Sequence, residues 1–414
     1  MESKITLIYV DSGGGHRAAA TALSEMIRRQ NRPWTVEMVC IQDIFNNIDF
    51  IRQYTGIDFQ DVYNIMLRRG WTLGSAQMIR AMHLVIRMSH VSQVRALNHY
   101  WENSQPNLVV SLIPHFNRAI RESLENSWPD VPLVTLLTDI ADYPPHFWIE
   151  RESQYVICGS AQAARQAASL GIDASHILQT SGMILNPGFY ESCAIDRDAA
   201  RERLGLRPGV PTALVLFGGE GSGEMLKIAE ALNRPGNALQ LILLCGKNAA
   251  LAAKLRAMTP HIPMFVEGFT RDVPHYMELA DFFIGKPGPG SISEALAKKL
   301  PVIVQSNAWT LAHERYNADW VKEQGVGLVV HNFSTEIQHA VKTMVAPENY
   351  ARFRQRVAAM HNTAVYEIPA LLEKIMTDES GQRNPARTTL PQFGQHALTA
   401  GYSAQSLPDN VRWV

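Results

Sequence analysis

The chain has 414 residues, of which 46% are hydrophobic and 19% are charged, and its formal net charge is −1. This balance is typical of a globular protein with room for two domains, and it excludes a general electrostatic attraction to nucleic acid. The four cysteines are far apart without a CxxC pair, so we expect reduced thiols in a cytosolic protein. We expect neither a signal peptide nor a membrane span, because no apolar run is long enough to cross a bilayer.

Short apolar runs alternate with amphipathic stretches along most of the chain. The runs predict strands at 5–10, 35–39, 108–112, 133–137, 155–158, 213–217, 239–244, 263–266, 282–284, 302–304 and 327–330. They are continuous rather than alternating, as in strands that helices cover on both faces. Repeated β-α units of this kind indicate parallel sheets with right-handed crossovers.

The pattern restarts once, where a charged helix and a Gly/Pro turn follow residues 182–188. We therefore predict two α/β domains that face each other across a cleft, with ligands beyond the carboxyl ends of the strands. The predicted parts are a first domain over 1–186, a second over 187–345, C-terminal helices over 346–377, and a disordered or loosely attached polar tail over 378–414.

The region 45–101 interrupts the β-α pattern. It contains many large apolar residues and six arginines with few acidic residues, so its helical stretches look basic and amphipathic. One interpretation is a set of helices packed on the first sheet with solvated arginines. The other is a surface that rests on anionic lipid.

Two glycine-rich stretches in the second half are candidates for binding a diphosphate. Residues 218–223 and 284–294 each lead from a predicted strand into a helix. Glycine lets backbone N–H groups approach an anion, and a helix N-terminus adds partial positive charge. Glu294, early in the second helix, could accept two hydrogen bonds from a ribose diol or could only compensate helix charge. Residues 306–317 add polar and aromatic groups that suit sugar hydroxyls or an ordinary surface loop.

Four motifs in this order carry a resemblance to a known family. They are DSGGGHRAAATAL, GGEGSG, KPGPGSISEAL and HERYNADWV. The chain resembles the family 28 glycosyltransferases over about residues 4–345, and within them the monogalactosyldiacylglycerol synthases and processive diacylglycerol glucosyltransferases. The lipid II N-acetylglucosaminyltransferase is a more distant relative. The segment VTLLTDIADYPPHFW also looks like the part that precedes the acceptor cleft in the glycolipid branch, whereas 45–101 and the tail match poorly.

The resemblance implies a GT-B fold and an inverting transfer of glucose or galactose from a UDP-hexose to a hydroxyl of diacylglycerol or a similar lipid. It implies that the second domain binds the donor. The residues expected there are Gly218, Gly219, Glu220, Gly221, Phe269, Lys286, Pro289, Gly290, Ser291, Glu294, His313, Glu314 and Asn317.

The first glycine-rich loop would then lie on the acceptor side of the cleft. Gly13, Gly14 and Gly15 would leave room near the transferred sugar, and His16 at the helix start would be the general base. A neutral imidazole can take the proton of a lipid hydroxyl, and a helix N-terminus lowers the pKa of histidine, which keeps it neutral. Asp139, just past a strand, could be the base instead, could orient His16, or could cap a turn.

We expect no metal site and no cofactor, because no Asp-x-Asp follows a strand and helix N-termini with Lys286 could stabilise the leaving diphosphate. The expected location is cytoplasmic, at the anionic inner face of the cell membrane. Three alternatives remain. They are a UDP-N-acetylglucosamine-dependent transferase of lipid-linked peptidoglycan precursors, an NAD-dependent oxidoreductase that uses Gly13–Gly15, and a non-catalytic lipid-surface or nucleotide-binding module.

Overall fold

The computed structural model describes residues 3–11, 14–45, 84, 86–144, 146–152, 154–191 and 195–382. Within these ranges, twelve strands form two six-stranded sheets, one in each half of the chain, and all neighbouring strands are parallel. The predicted α/β fold with two parallel-sheet domains is confirmed.

The first sheet has the order β2-β1-β3-β4-β5-β6. Its strands are β1 Ser3–Tyr9, β2 Trp34–Cys40, β3 Leu108–Ser111, β4 Leu133–Leu136, β5 Tyr155–Cys158 and β6 Ile177–Gln179. The helices of this half are α1 Gly15–Arg29, α2 Ile41–Phe45, α3 His90–Asn103, α4 Asn117–Ser127 and α5 Ala161–Ser169. The strand order reverses between β1 and β3, so the loop between β1 and α1 opens at a topological switch point, where ligands bind in such sheets.

The second sheet has the order β12-β11-β10-β7-β8-β9. Its strands are β7 Thr212–Leu216, β8 Gln240–Leu244, β9 Met264–Glu267, β10 Phe282–Gly285, β11 Val302–Gln305 and β12 Gly327–Val330. The helices are α6 Arg197–Arg203, α7 Glu224–Leu232, α8 Ala249–Arg256, α9 Val273–Glu278, α10 Pro289–Ala297, α11 Arg315–Gln324, α12 Phe333–Val345, α13 Pro347–Ala359 and α14 Ala364–Gln382. The switch point lies between β7 and β10, the two strands that the glycine-rich loops follow.

Burial explains why the apolar runs form strands. All residues of β3, β4, β7, β8 and β10 are buried, because helices cover both faces of each sheet. The strand that the sequence did not predict is β6, which has three residues, none of them buried. A run this short at a sheet edge has too little apolar surface to stand out.

The last helix, α14, returns to the first domain. Its buried side chains pack in the same cluster as β1 and α1; they are Ala364, Val365, Ile368, Leu372 and Ile375. The chain therefore crosses between the domains twice, before α6 and again between α13 and α14. The C-terminal helices were predicted to end at 377, and α14 continues to Gln382; residues 383–414 lie outside the described ranges. Most of 45–101, as well as Gly13 and Cys193, also lies outside them.

Candidate active site

The loop between β7 and α7 is a tight main-chain turn. Gly218 and Gly221 have left-handed φ values of 75° and 65°, and a Cβ on Gly221 would lie 2.5 Å from the carbonyl oxygen of Cys245. The N–H of Lys247 donates to the Gly219 carbonyl at 2.8 Å, which holds this loop against the loop that follows β8. Only glycine fits so close to the Cys245 carbonyl. Because glycine has no side chain, the main-chain N–H groups of this loop can approach an anion. The Glu220 carboxylate lies 3.3 Å from the Lys247 ammonium.

The second glycine-rich loop joins β10 to α10 and lies beside the first. A Cβ on Gly218 would lie 3.8 Å from Cε of Lys286, which brings the two loops together at this side chain. Helix α10 begins at Pro289 after Gly288, so the N–H groups of Gly290 and Ser291 are in the first turn, where an α-helix has no internal acceptor for them. The predicted pair of anion-binding loops therefore forms one continuous surface.

Glu294 is the one titratable residue within α10, the helix that follows the second glycine-rich loop. Its carboxylate makes no hydrogen bond or ion pair with the described part of the chain, and burial raises its pKa to about 7. Phe269, which follows β9 at the sheet edge, is 59% exposed. Both residues are available to a ligand.

Glu314 and Asn317 are buried and organise the second loop. The Lys286 ammonium donates to Oε1 of Glu314 at 2.6 Å, and the side chain of Asn317 donates to the Pro287 carbonyl at 2.9 Å. Burial opposes the charge on Glu314, but Lys286 and His313 outweigh it, so the pKa of this carboxyl is lowered. The resemblance implies that both residues meet the donor sugar or its phosphate, and in this structure they bind the loop that would hold the diphosphate.

On the first domain, His16 occupies the start of α1, and Thr138 is its hydrogen-bond partner. Nδ1 of His16 lies 3.0 Å from Oγ1 of Thr138, and the ring lies 5.7 Å from that of Trp148. Burial lowers the pKa of His16 to about 4; a main-chain hydrogen bond with Leu112 opposes this shift and His313 adds to it. His16 is therefore neutral near pH 7.

Asp139 is buried beside His16 but does not hydrogen-bond to it. The indole N–H of Trp148 donates to Oδ2 of Asp139 at 2.7 Å. Burial raises the pKa of Asp139, against the effects of His313 and of the bond from Trp148. Of the roles predicted for Asp139, orientation of His16 by direct contact is thus not what the structure shows, since Thr138 makes that contact.

Contacts between the domains bring these groups into one site. The His313 ring stacks on Phe147 with centroids 5.5 Å apart and an 11° angle between planes. Nδ1 of His313 is buried without a hydrogen-bond partner, and His313 acts electrostatically on His16, Asp139 and Glu314. A buried imidazole nitrogen without a partner needs an explanation, and a bound ligand would provide one.

Five of the predicted residues interact with one another, and three further residues contact them. The five are His16, Asp139, Lys286, His313 and Glu314. Thr138, Phe147 and Trp148 were missed as individual contacts, although the segment 134–148 was singled out by its resemblance. Gly14 and Gly15 are exposed at the start of α1. Among the described residues, no cluster of three or more His, Cys, Asp or Glu side chains could hold a metal ion.

Sequence comparison finds similarity to glycosyltransferases. Residues 214–368 match the glycosyltransferase family 28 C-terminal domain. The chain is 28% identical over 424 residues to a probable monogalactosyldiacylglycerol synthase 2 of Oryza sativa subsp. japonica, covering 96% of this chain and 84% of the relative. It is 26% identical over 399 residues to the monogalactosyldiacylglycerol synthase of Spinacia oleracea, covering 90% and 72%.

Comparison with solved structures identifies the architecture. MurG of Acinetobacter baumannii superposes with a TM-score of 0.59 at 12% identity, covering 90% of this chain and 99% of MurG. At this identity the likeness shows the fold, which is the predicted GT-B arrangement of two parallel-sheet domains. The chain is therefore a glycosyltransferase with a GT-B fold, and residues 214–368 are similar to the family 28 C-terminal domain.

Proposed function

We propose that this glycosyltransferase moves glucose or galactose from a UDP-hexose to a hydroxyl of diacylglycerol or a related lipid, with inversion at the sugar. The relatives in rice and spinach carry the name of a lipid galactosyltransferase. The observation that carries the proposal is the pairing across one cleft of neutral His16 with two glycine-rich loops at the N-termini of α7 and α10. The oxidoreductase alternative explains neither of these loops.

His16 would act as the general base. The lipid hydroxyl gives its proton to Nε2 of His16, the ring nitrogen that does not contact Thr138. At the same time its oxygen bonds to C1 of the hexose, and the bond from C1 to the diphosphate breaks with its electron pair on UDP. A pKa of about 4 makes His16 a weak base before the donor is bound. The negative diphosphate would favour the imidazolium form and so raise this pKa toward the range in which a base is effective.

The leaving diphosphate would be stabilised by the second domain. The first-turn N–H groups of α7 and α10 and the ammonium of Lys286 supply positive charge at the two loops. His313 would contact the donor through the nitrogen that is buried without a partner. We therefore propose that transfer requires no divalent cation.

We also propose that the enzyme works at the anionic inner face of the cell membrane, because its acceptor is a lipid. No described helix combines the length and the apolar character needed to cross a membrane. The arginine-rich region 45–101 is the proposed membrane-facing part, and it lies largely outside the described ranges.

A product assay tests donor, acceptor and metal requirement together. Purified protein is mixed with diacylglycerol vesicles and either UDP-glucose or UDP-galactose in EDTA, and new glycolipid is measured by chromatography. We expect product with one of the two donors. UDP binding without any glycolipid would contradict the acceptor, and a parallel reaction with UDP-N-acetylglucosamine and a lipid-linked peptidoglycan precursor would then test the alternative. Absence of UDP binding would contradict the whole proposal.

Glu294 predicts a pH dependence of donor binding. Its pKa is about 7, above the ordinary value, so it is mostly protonated below pH 7 and ionised above it. The ionised carboxylate can accept both ribose hydroxyl hydrogens. If only this form binds well, the Kd for UDP rises about tenfold from pH 8 to pH 6. Calorimetric titration measures this Kd for the wild type and for Glu294→Gln, because protonation of UDP itself affects both proteins equally. The Kd should rise more in the wild type than in the variant. An equal rise in both would contradict the role of Glu294.

A further inference from the structure

A cavity of about 440 Å³ lies where the chain crosses between the domains. Ile140 lines it from the first domain and Leu296 and Trp320 from the second, and the crossing segments 181–183 and 360–363 complete its wall. Its volume is in the range of small-molecule sites, about 300–1,000 Å³. None of the residues assigned above to donor, acceptor or base lines it. We refer to it as the hinge cavity.

Lys299, which lines the hinge cavity, has an unusual backbone. It follows α10 with a left-handed φ of 62°. The N–H of Lys299 donates to the Leu296 carbonyl at 2.9 Å and that of Leu300 to Ala295 at 2.8 Å, a helix ending in which glycine is the favoured residue. A lysine in this left-handed conformation lowers the stability of the folded chain relative to glycine. The presence of lysine at this position therefore indicates a role for its side chain.

The ammonium of Lys299 has no carboxylate partner within ion-pair distance in the described part of the chain. It donates to the Met360 carbonyl at 2.7 Å, which leaves further N–H groups free. Arg354 donates to the Lys299 carbonyl and adds a second positive charge. No aspartate or glutamate is among the described residues that line the cavity, and nearby Glu367 accepts from Ser181.

Ser293 provides a second, independent sign of a ligand. It lines the hinge cavity on α10, is 8% exposed, and its hydroxyl makes no hydrogen bond to the described part of the chain. Because Ser293 lines the cavity and no described protein group binds its hydroxyl, this hydroxyl is available to hydrogen-bond a bound group. The hydroxyl of Ser293 and the ammonium of Lys299 are both donors, and Leu296, Ala297 and Trp320 add apolar surface to the same cavity.

We propose that the hinge cavity binds a small phosphate ester, with the phosphate on Lys299 and Ser293 and the organic part against Leu296 and Trp320. A phosphate has several acceptor oxygens and matches two donors of which one is charged. The phosphate could belong to a soluble ester or to a lipid headgroup, since both present the same group. The site is separate from the UDP-hexose site and goes beyond the proposed function.

Occupation of the hinge cavity would couple to the donor site. The cavity is lined by both domains, so a ligand that fits it favours the domain arrangement described above. This arrangement also brings His313 to Phe147. A ligand that favours it would change the affinity for UDP, and by linkage UDP would change the affinity for the ligand by the same factor.

A glycine substitution provides a test in which folding is preserved. Glycine adopts the left-handed conformation freely, so Lys299→Gly removes the ammonium while it suits the helix ending. Asn31→Gly is the matched control, because Asn31 follows α1 with a φ of 50° and the same hydrogen-bond pattern. Ser293→Ala removes the second donor. Thermal unfolding of each variant checks that the fold is retained.

Calorimetric titration with glycerol 3-phosphate, in saturating UDP to block the donor site, measures binding. We expect a single site in the wild type and in Asn31→Gly, a Kd at least tenfold higher in Lys299→Gly, and a smaller increase in Ser293→Ala. Flotation with phosphatidylglycerol and phosphatidylcholine vesicles tests the lipid source. The proposal is supported if Asn31→Gly still binds one of the two probes and Lys299→Gly does not. The probe that binds then shows whether the phosphate belongs to a soluble ester or to a lipid headgroup.

Equal binding by the wild type and Lys299→Gly, or no binding of either probe by the wild type, would overturn the inference. UDP binding is measured first and separately. Its absence would count against the proposed donor, and the hinge-cavity titration would then be made without UDP. The two failures are therefore distinguishable.

Discussion

Replacement of His16 by glutamine is expected to lower the rate of glycolipid formation by about 10² to 10⁴, the usual effect of a general base. Glutamine keeps a polar side chain near Oγ1 of Thr138 but cannot take the proton of the acceptor hydroxyl. His16 belongs to the first domain, whereas the proposed UDP-binding groups belong to the second, so the Kd for UDP should change by less than about twofold. Initial rates with lipid vesicles and calorimetry with UDP measure the two effects.

Thr138 supplies a matched pair of variants for the same question. Thr138→Ser keeps the hydroxyl at His16, whereas Thr138→Val has nearly the same shape without it. Valine should lower the rate and serine should largely retain it, because the hydroxyl fixes the orientation of the His16 ring.

If His16→Gln retained more than about a tenth of the activity, the base would lie elsewhere, and Asp139 would be the first residue to examine.

The Lys286–Glu314 pair predicts the second large effect. Lys286→Met should lower the free energy of unfolding by about 3 kcal/mol, since it leaves the buried carboxylate of Glu314 without its partner. The double variant Lys286→Met/Glu314→Gln should recover most of this stability because no buried charge remains, but should stay impaired in transfer. Denaturant unfolding followed by tryptophan fluorescence measures the stabilities.

Lys227→Met is the control for this prediction. Lys227 also lies 2.6 Å from a carboxylate, that of Glu224, but its side chain is 54% exposed on α7. An exposed pair contributes little, so its loss should cost less than about 1 kcal/mol. If Lys286→Met were as stable as Lys227→Met, then Glu314 would not depend on Lys286, and the loop would be held by Asn317 instead.

The strands and the phosphate-binding loops follow from local sequence. A continuous apolar run such as 213–217 predicts a strand that is buried on both faces, whatever the rest of the fold is. The observed strand β7 is Thr212–Leu216. Glycines after such a run allow left-handed turns and close contacts, as at Gly221. These features depend on neighbours within a few residues, so a single sequence contains them. The single restart of the β-α pattern predicts two domains, and the resemblance of the motifs implies that they form a GT-B fold.

The contacts of the site depend on the fold. His16 meets Thr138, which is 122 residues away, and Lys286 meets Glu314 across 28 residues. No periodicity encodes which polar side chains from different loops will meet. The shift of the pKa of His16 to about 4 arises mainly from burial, and His313 of the second domain adds an electrostatic effect in the same direction.

The same limit applies to α14 and to the hinge cavity. The apolar face of α14, with Ile368 and Leu372, predicts an amphipathic helix but not that the first sheet is what it covers. The left-handed backbone of Lys299 and the unpartnered hydroxyl of Ser293 are likewise invisible in the residue order. Local propensity and spacing set the elements, whereas burial, charge pairing and cavities arise only when distant segments pack together, because their energies depend on distances in space.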